Sequence, residues 1–144
     1  MSKMVLDTSA MQDDFFADTA MIGIGTAQQE YRFCWILNRH FDINFLRDPE
    51  QNICVQKKDS KYYFPIYQYT LPNSSHKYLL YKLKNGNEFL LPETRQLDYL
   101  WLIQTATPND DAVEITRELR NIPDVQLAQI IDADELKNLN NLLV

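Results

Sequence analysis

The chain has 144 residues, enough for one domain that hides about two-thirds of its unfolded surface, and 45% hydrophobic against 24% charged residues exclude collagen-like, low-complexity and disordered classes. Twenty acidic against fourteen basic side chains give a net charge of −6, which repels a phosphate backbone and argues against nucleic acid as a partner. The two cysteines, Cys34 and Cys54, lack a CxxC or histidine-rich neighbourhood, so no metal or redox cofactor is expected and reduced thiols in a cytoplasm fit.

Residues 1–13 read as a flexible leader, and over Met1 to Asp14 the acids Asp7, Asp13 and Asp14 stand where a signal peptide would be apolar. No window reaches the roughly 18 apolar residues of a membrane span, so no membrane is expected. Residues 14–144 then form a single domain. Phe15 to Gly25 is apolar and small enough for a strand ending at Gly23-Ile24-Gly25-Thr26. Thr26 and Gln29 match a capping box that opens a helix over 26–42. At 100° per residue Tyr31, Cys34, Leu37 and Phe41 share one arc, with Gln28, Arg32 and Arg39 opposite, so the cysteine side should meet the core.

From Ile43 to Ile103 the pattern shifts toward period two, and strands are expected near 43–47, 52–56, 61–70, 77–84, 88–91 and 97–105. Asn85-Gly86 predicts a two-residue hairpin with positive φ at both central positions. Pro108-Asn109-Asp110-Asp111 starts a second helix over 109–121, its acids favoured by the helix dipole. Alternation resumes at 125–130, Asp132 and Glu135 can cap a short terminal helix, and 139–144 reads equally as strand. The expected fold is α+β: a twisted, mainly antiparallel sheet of six to eight strands with two main helices packed on one face. The strand–helix–strand run over 97–131 would add one parallel pair through a right-handed crossover.

Little of this carries chemistry by itself. Gly23-Ile24-Gly25 sits where a strand meets a helix, a setting for phosphate, but Gln28 replaces the third glycine of the fingerprint. Cys34 and His40 are six helical positions apart, about 120° around the axis and roughly 9 Å along it, so they cannot form a nucleophilic pair. With His76 in a turn, neither histidine has ligand spacing. Between Lys61 and Tyr69 aromatic residues occupy both faces of a strand, and Tyr78 and Tyr81 follow. Either both faces are covered, or Tyr62, Tyr67, Tyr69 and Tyr81 form a platform for a peptide, an acyl chain or a partner. Arg32 and Arg39, seven apart on one helix face, are either a solvated surface or, with Arg47 or Lys57, a site for an anion or an acidic protein.

The most distinctive stretch runs from Leu90 to Tyr99. Pro92 ends one strand, 93–96 connect, and a strand from Leu97 puts Leu97, Tyr99, Trp101 and Ile103 on one face and Asp98, Leu100 and Leu102 on the other. Asp98 then shares a face with leucines and needs Arg95 or turn amides as partners. The catalytic alternative uses Glu93 and Asp98 as the acid and base of a small-metabolite hydrolase or isomerase. Leu91-Pro92-Glu93, followed after three residues by Leu97-Asp98-Tyr99, is similar to the signature of the IPExxxVDY family, a group of small uncharacterised bacterial proteins, with leucine in place of isoleucine and valine. The similarity runs from Tyr31-Arg32-Phe33-Cys34-Trp35 to Asn141-Leu142-Leu143 and so covers most of the chain. It implies no activity, cofactor or catalytic residue. The expected function is therefore a non-catalytic binding or adaptor protein, working through a protein partner or as a homodimer.

Overall fold

The computed structural model describes residues 16–142; the expected leader at 1–13 lies outside the described residues. In chain order these residues form β1 (Thr19–Thr26), α1 (Glu30–Phe41), β2 (Leu46–Arg47), β3 (Ile53–Lys57), β4 (Ser60–Phe64), β5 (Ile66–Thr70), β6 (Lys77–Lys82), β7 (Lys84–Asn85), β8 (Glu88–Phe89), β9 (Tyr99–Gln104), α2 (Pro108–Leu119) and β10 (Val125–Ile131). Six strands make one open sheet in the order β10-β1-β9-β6-β5-β2, and β3–β4 and β7–β8 are separate hairpins. Every one of these pairings is antiparallel, so the α+β class and the antiparallel sheet stand.

Period two sorts the sheet's side chains into two cores. On one side Ile22, Ile24, Leu80, Tyr99, Trp101 and Ile103 meet Phe33, Cys34 and Leu37 of α1 and Ala112, Ile115 and Leu119 of α2. Both helices therefore pack on one face, as their apolar spacing requires. On the other side Met21, Ile66, Leu79, Tyr81, Leu100 and Leu102 are covered by the β3–β4 hairpin, the 90–97 segment and 3₁₀ turns at Ala133–Glu135 and Leu139–Leu142. Trp101 stands at the centre of the helix side. The rings of Phe41, Phe45 and Tyr78 meet it edge-on at 5.0, 5.1 and 5.4 Å, and its buried indole N–H has no hydrogen-bond partner among the described residues.

Several expectations are corrected, some for a local reason and some by a contact distant in sequence. The 61–70 strand is two strands, because Pro65 cannot donate to a ladder and the chain passes there from the small hairpin to the main sheet. The parallel pair does not form: β9 and β10 run the same way, but β1 lies between them and pairs with both. The capping box is absent. Thr26 remains in β1, its hydroxyl donating to Asp124 O at 2.7 Å, and Gln29 is the N-cap without a side-chain bond. The hairpin turn falls one residue later than expected, on Gly86-Asn87 between Asn85 and Glu88, with positive φ at Gly86 alone. Only 46–47 of the 43–47 strand is extended, and 139–142 is a 3₁₀ turn, not a strand. The strand expected from Leu97 starts only at Tyr99, as β9, so Leu97 falls in the turn before it and packs on the opposite face from Tyr99, Trp101 and Ile103.

Gly23 faces the lower core, the one away from the helices, as distinct from the upper, helix-side core. A Cβ there would collide with the side chains of Leu97 and Ile131. Gly23→Ala should therefore destabilise the fold by about 1–3 kcal/mol through overpacking, read as a lower urea midpoint at unchanged m-value.

Candidate functional site

Asp98 joins three chain segments at one end of the sheet. Its N–H donates to Ile24 O at 2.8 Å and its carbonyl accepts from Leu83 N at 2.9 Å. Its carboxylate accepts from Thr26 N at 2.9 Å and pairs with Lys84 Nζ at 2.9 Å. The expected partner, Arg95, is instead exposed, its guanidinium 5.3 Å from the Phe89 ring. Nor is Asp98 set among leucines: it is half-buried and lines a cleft of about 580 Å³ with Thr26, Gln28, Lys82, Lys84 and Tyr99. Its place just before β9, at the sheet's end, takes it out of the strand's alternation.

Glu93 belongs to a different assembly. Pro92 and Glu93 lie in a 3₁₀ turn whose Thr94 donates N–H and Oγ1 to Leu91 O, at 2.9 and 3.0 Å. The turn aims Glu93 at the carboxyl-terminal turns, where it accepts from Asn138 N at 2.8 Å and Asn138 Nδ2 at 2.9 Å. Burial raises the Glu93 carboxyl, but these Asn138 bonds outweigh it and hold the group below its ordinary range. Asn141 Nδ2 donates to Leu90 O at 2.8 Å and the Tyr81 hydroxyl to Leu142 O at 2.7 Å, so three polar anchors hold Leu136, Leu139 and Leu142 onto the sheet. Glu93 and Asp98 thus have separate partners, and Glu93 does not line the Asp98 cleft. Leu91 and Leu97 pack in the lower core and Tyr99 in the upper one.

The cleft has charge but satisfies it internally. Glu30, at the start of α1, accepts the Tyr67 hydroxyl and stands 3.6 Å from Lys82 Nζ and 3.8 Å from Arg47. Lys84 is committed to Asp98. Burial, then the bond to Glu30, hold the Tyr67 phenol protonated well above its usual range. Burial and the nearby Glu30 push the Cys34 thiol up to about 12, so it is inert as a nucleophile. Gly23 and Gly25 are explained by close packing against Leu97, Ile131 and Leu127, without a phosphate. Among the described residues no three His, Cys, Asp or Glu side chains gather to hold a metal, and no helix is long and apolar enough to cross a membrane.

The tyrosine platform is not present as expected. Tyr67 and Tyr81 are buried in opposite cores, and Tyr62 and Tyr69 are half-buried against them. What the structure does expose is the outer face of α1. Burying Phe33, Cys34, Ile36 and Leu37 turns Trp35 to the opposite side at 49% exposure, and Tyr31, expected in the buried arc, is 74% exposed. The guanidiniums of Arg32 and Arg39 lie 4.9 and 5.4 Å from the Trp35 ring. Arg47 and Lys57 pair elsewhere, with Glu30 and Glu88. Beside Trp35 a groove of about 520 Å³ runs between α1 and residues 121–124, with Ile122 and Pro123 in its wall. Trp35 was missing from the sequence-based candidates; its position opposite the Phe33/Leu37 stripe is the signal that marks it. No family model and no curated protein matches the chain.

Two measurements check this description. Asp98→Asn keeps an acceptor for Thr26 N–H and should cost about 1 kcal/mol through the lost Lys84 pair, whereas Asp98→Ala orphans that N–H and should cost about 1–3 kcal/mol in denaturant titration. For the thiols, a disulfide-exchange reagent at pH 8 should modify exposed Cys54 and leave Cys34 untouched until denaturant is added. Because the folded Cys34 pKa is raised, its stability contribution is complete below the unfolded value of 9.0 and is lost as pH rises toward about 12.

Proposed function

We propose that this chain is a non-catalytic binding protein that docks an acidic segment of a partner protein on the outer face of α1. The observation that carries this reading is Trp35: a large aromatic ring turned to solvent at the middle of a helix, with a guanidinium on either side. Tryptophan and arginine are the side chains that most often dominate interface energies, because each combines apolar area with directional polar contact. Among the described residues neither Arg32 nor Arg39 has a carboxylate partner, although the chain as a whole is acidic. Carboxylates on the incoming segment supply those partners, and an apolar side chain covers Trp35 and enters the groove at Ile122 and Pro123. The residues of the IPExxxVDY-like stretch support this reading from behind, since they anchor turns and fill cores and leave α1 free. We place the protein in the cytoplasm on the strength of its two unbridged thiols.

The test is site-specific. A photo-crosslinking amino acid at Tyr31 in the full chain, expressed in its own cells, should give one discrete adduct that the same group at Tyr63, on a different surface, does not. Trp35→Ala should abolish it, with a loss of about 2 kcal/mol in affinity and no change in melting temperature. Arg32→Glu with Arg39→Glu should do the same. An adduct that survives all three substitutions, or identical adducts at both positions, would remove the proposal.

A further inference from the structure

β10 is the outermost strand on one side of the sheet, and its seven residues contain neither a charge nor a proline. Edges usually carry one or the other to prevent pairing with foreign strands. The opposite edge, β2, is two residues long and ends in Arg47. Which β10 groups face outward follows from the ladder. Ile24 O accepts from Asp98 N, on the β9 side, so Ala128, which stands opposite Ile24 across the β1–β10 pair, turns its own N–H and C=O away from β1. Alternation turns those of Ile130 outward with it, while a register shift at Gln126 interrupts the alternation.

One of these groups is occupied by a side chain. Arg120, at the carboxyl end of α2, donates Nε to Ala128 O at 3.1 Å, in the place a neighbouring strand's N–H would take. Val113, Arg117 and Arg120 lie on one stripe of α2, so this stripe overhangs the β10 edge. Val113 is 50% exposed and Ile130 48%, and Ile130 points to the same side of the sheet as Ala128. The edge therefore presents outward backbone groups, two apolar side chains and the Arg120 guanidinium, with exposed Arg117 on the same helix stripe.

We propose that the β10 edge is a strand-addition site for an extended acidic segment of another protein, distinct from the α1 face. A carboxylate on that segment takes the Arg120 guanidinium, since a bidentate ion pair of opposite charges is stronger than a single bond to a neutral carbonyl. The vacated Ala128 carbonyl then accepts the incoming N–H, and an apolar residue two positions along covers Ile130 and Val113. A second copy of this chain fits less well. β10 carries no carboxylate, and a two-fold about Ala128 would set Arg120 against its own copy and Asp124 against Asp132.

The probe is an acetylated octapeptide with glutamate and valine in turn on one face and threonine on the other, added to the full-length isotope-labelled protein. Amide exchange at Ala128 and Ile130 should slow by about tenfold, while the peptide with lysine for glutamate has no effect. Ile130→Lys and Arg117→Glu, both at exposed positions, should fold as the parent does and weaken binding by about tenfold. Amides unchanged at millimolar peptide, equal binding of the lysine peptide, or shifts confined to α1 would overturn the proposal. Protection that grows with protein concentration in the absence of peptide would also overturn it, by identifying self-pairing.

Discussion

One aspartate closes the sheet. Asp98 bonds through its N–H, its carbonyl and both carboxylate oxygens, and these four contacts join the end of β1, the β6–β7 link and the start of β9. The carboxylate satisfies Thr26 N–H where β1 stops pairing with β9 and the chain turns toward α1. Without an acceptor there, a buried residue would carry an orphan donor at the junction that sets the direction of the first helix. Charge on the acceptor strengthens the bond, and Lys84 balances that charge, so a half-buried acid is stabilised without a ligand.

From this junction the two faces of the sheet are covered differently. The helix side is closed by side chains spaced for helices, and the other by irregular chain: a hairpin, the Leu90–Leu97 turns and the carboxyl-terminal turns. Turns satisfy only part of their own backbone, so the carboxyl-terminal turns over the lower face are fastened by side-chain bonds as well, Glu93 to Asn138, Asn141 to Leu90 O, and Tyr81 to Leu142 O. The motif-like stretch is best understood as the joint between these layers. Its leucines fill the lower core, its tyrosine fills the upper core, and its two acids fasten opposite ends.

Much of the architecture was legible because period and turn chemistry are local. The helices, the antiparallel character of the sheet and the existence of the hairpin near Gly86 follow from spacing and composition alone. The misreadings at Thr26, Asp98 and the tyrosines share a cause, since each depended on a contact distant in sequence. Thr26 looks like a cap until Asp124 takes its hydroxyl, ninety-eight positions away. Asp98 appears to need Arg95 until the fold brings Lys84 and Thr26 alongside. The tyrosines of β4 to β6 look like excess because a single sequence does not reveal that this sheet has a core on both sides. Trp35 was the reverse case, legible from the helical angle once Phe33 and Leu37 define the buried arc.

The charge distribution then bears on what these surfaces can bind. A net charge of −6 repels copies of the chain and other polyanions at long range, while arginines on the α1 face and along α2 make local exceptions. Such an arrangement sets a geometric condition: a ligand must be small or extended enough to put its carboxylates on the guanidiniums without bringing its remaining charge against the acidic surroundings. A short acidic segment meets this condition, and a large, uniformly acidic surface does not. The guanidiniums on Trp35 and the one on Ala128 O are held by uncharged partners, a ring and a carbonyl, so a carboxylate has a stronger, oppositely charged interaction to offer in both places. Pre-positioning by the ring and the carbonyl also restrains long side chains before binding, which lowers the entropy lost when the partner arrives.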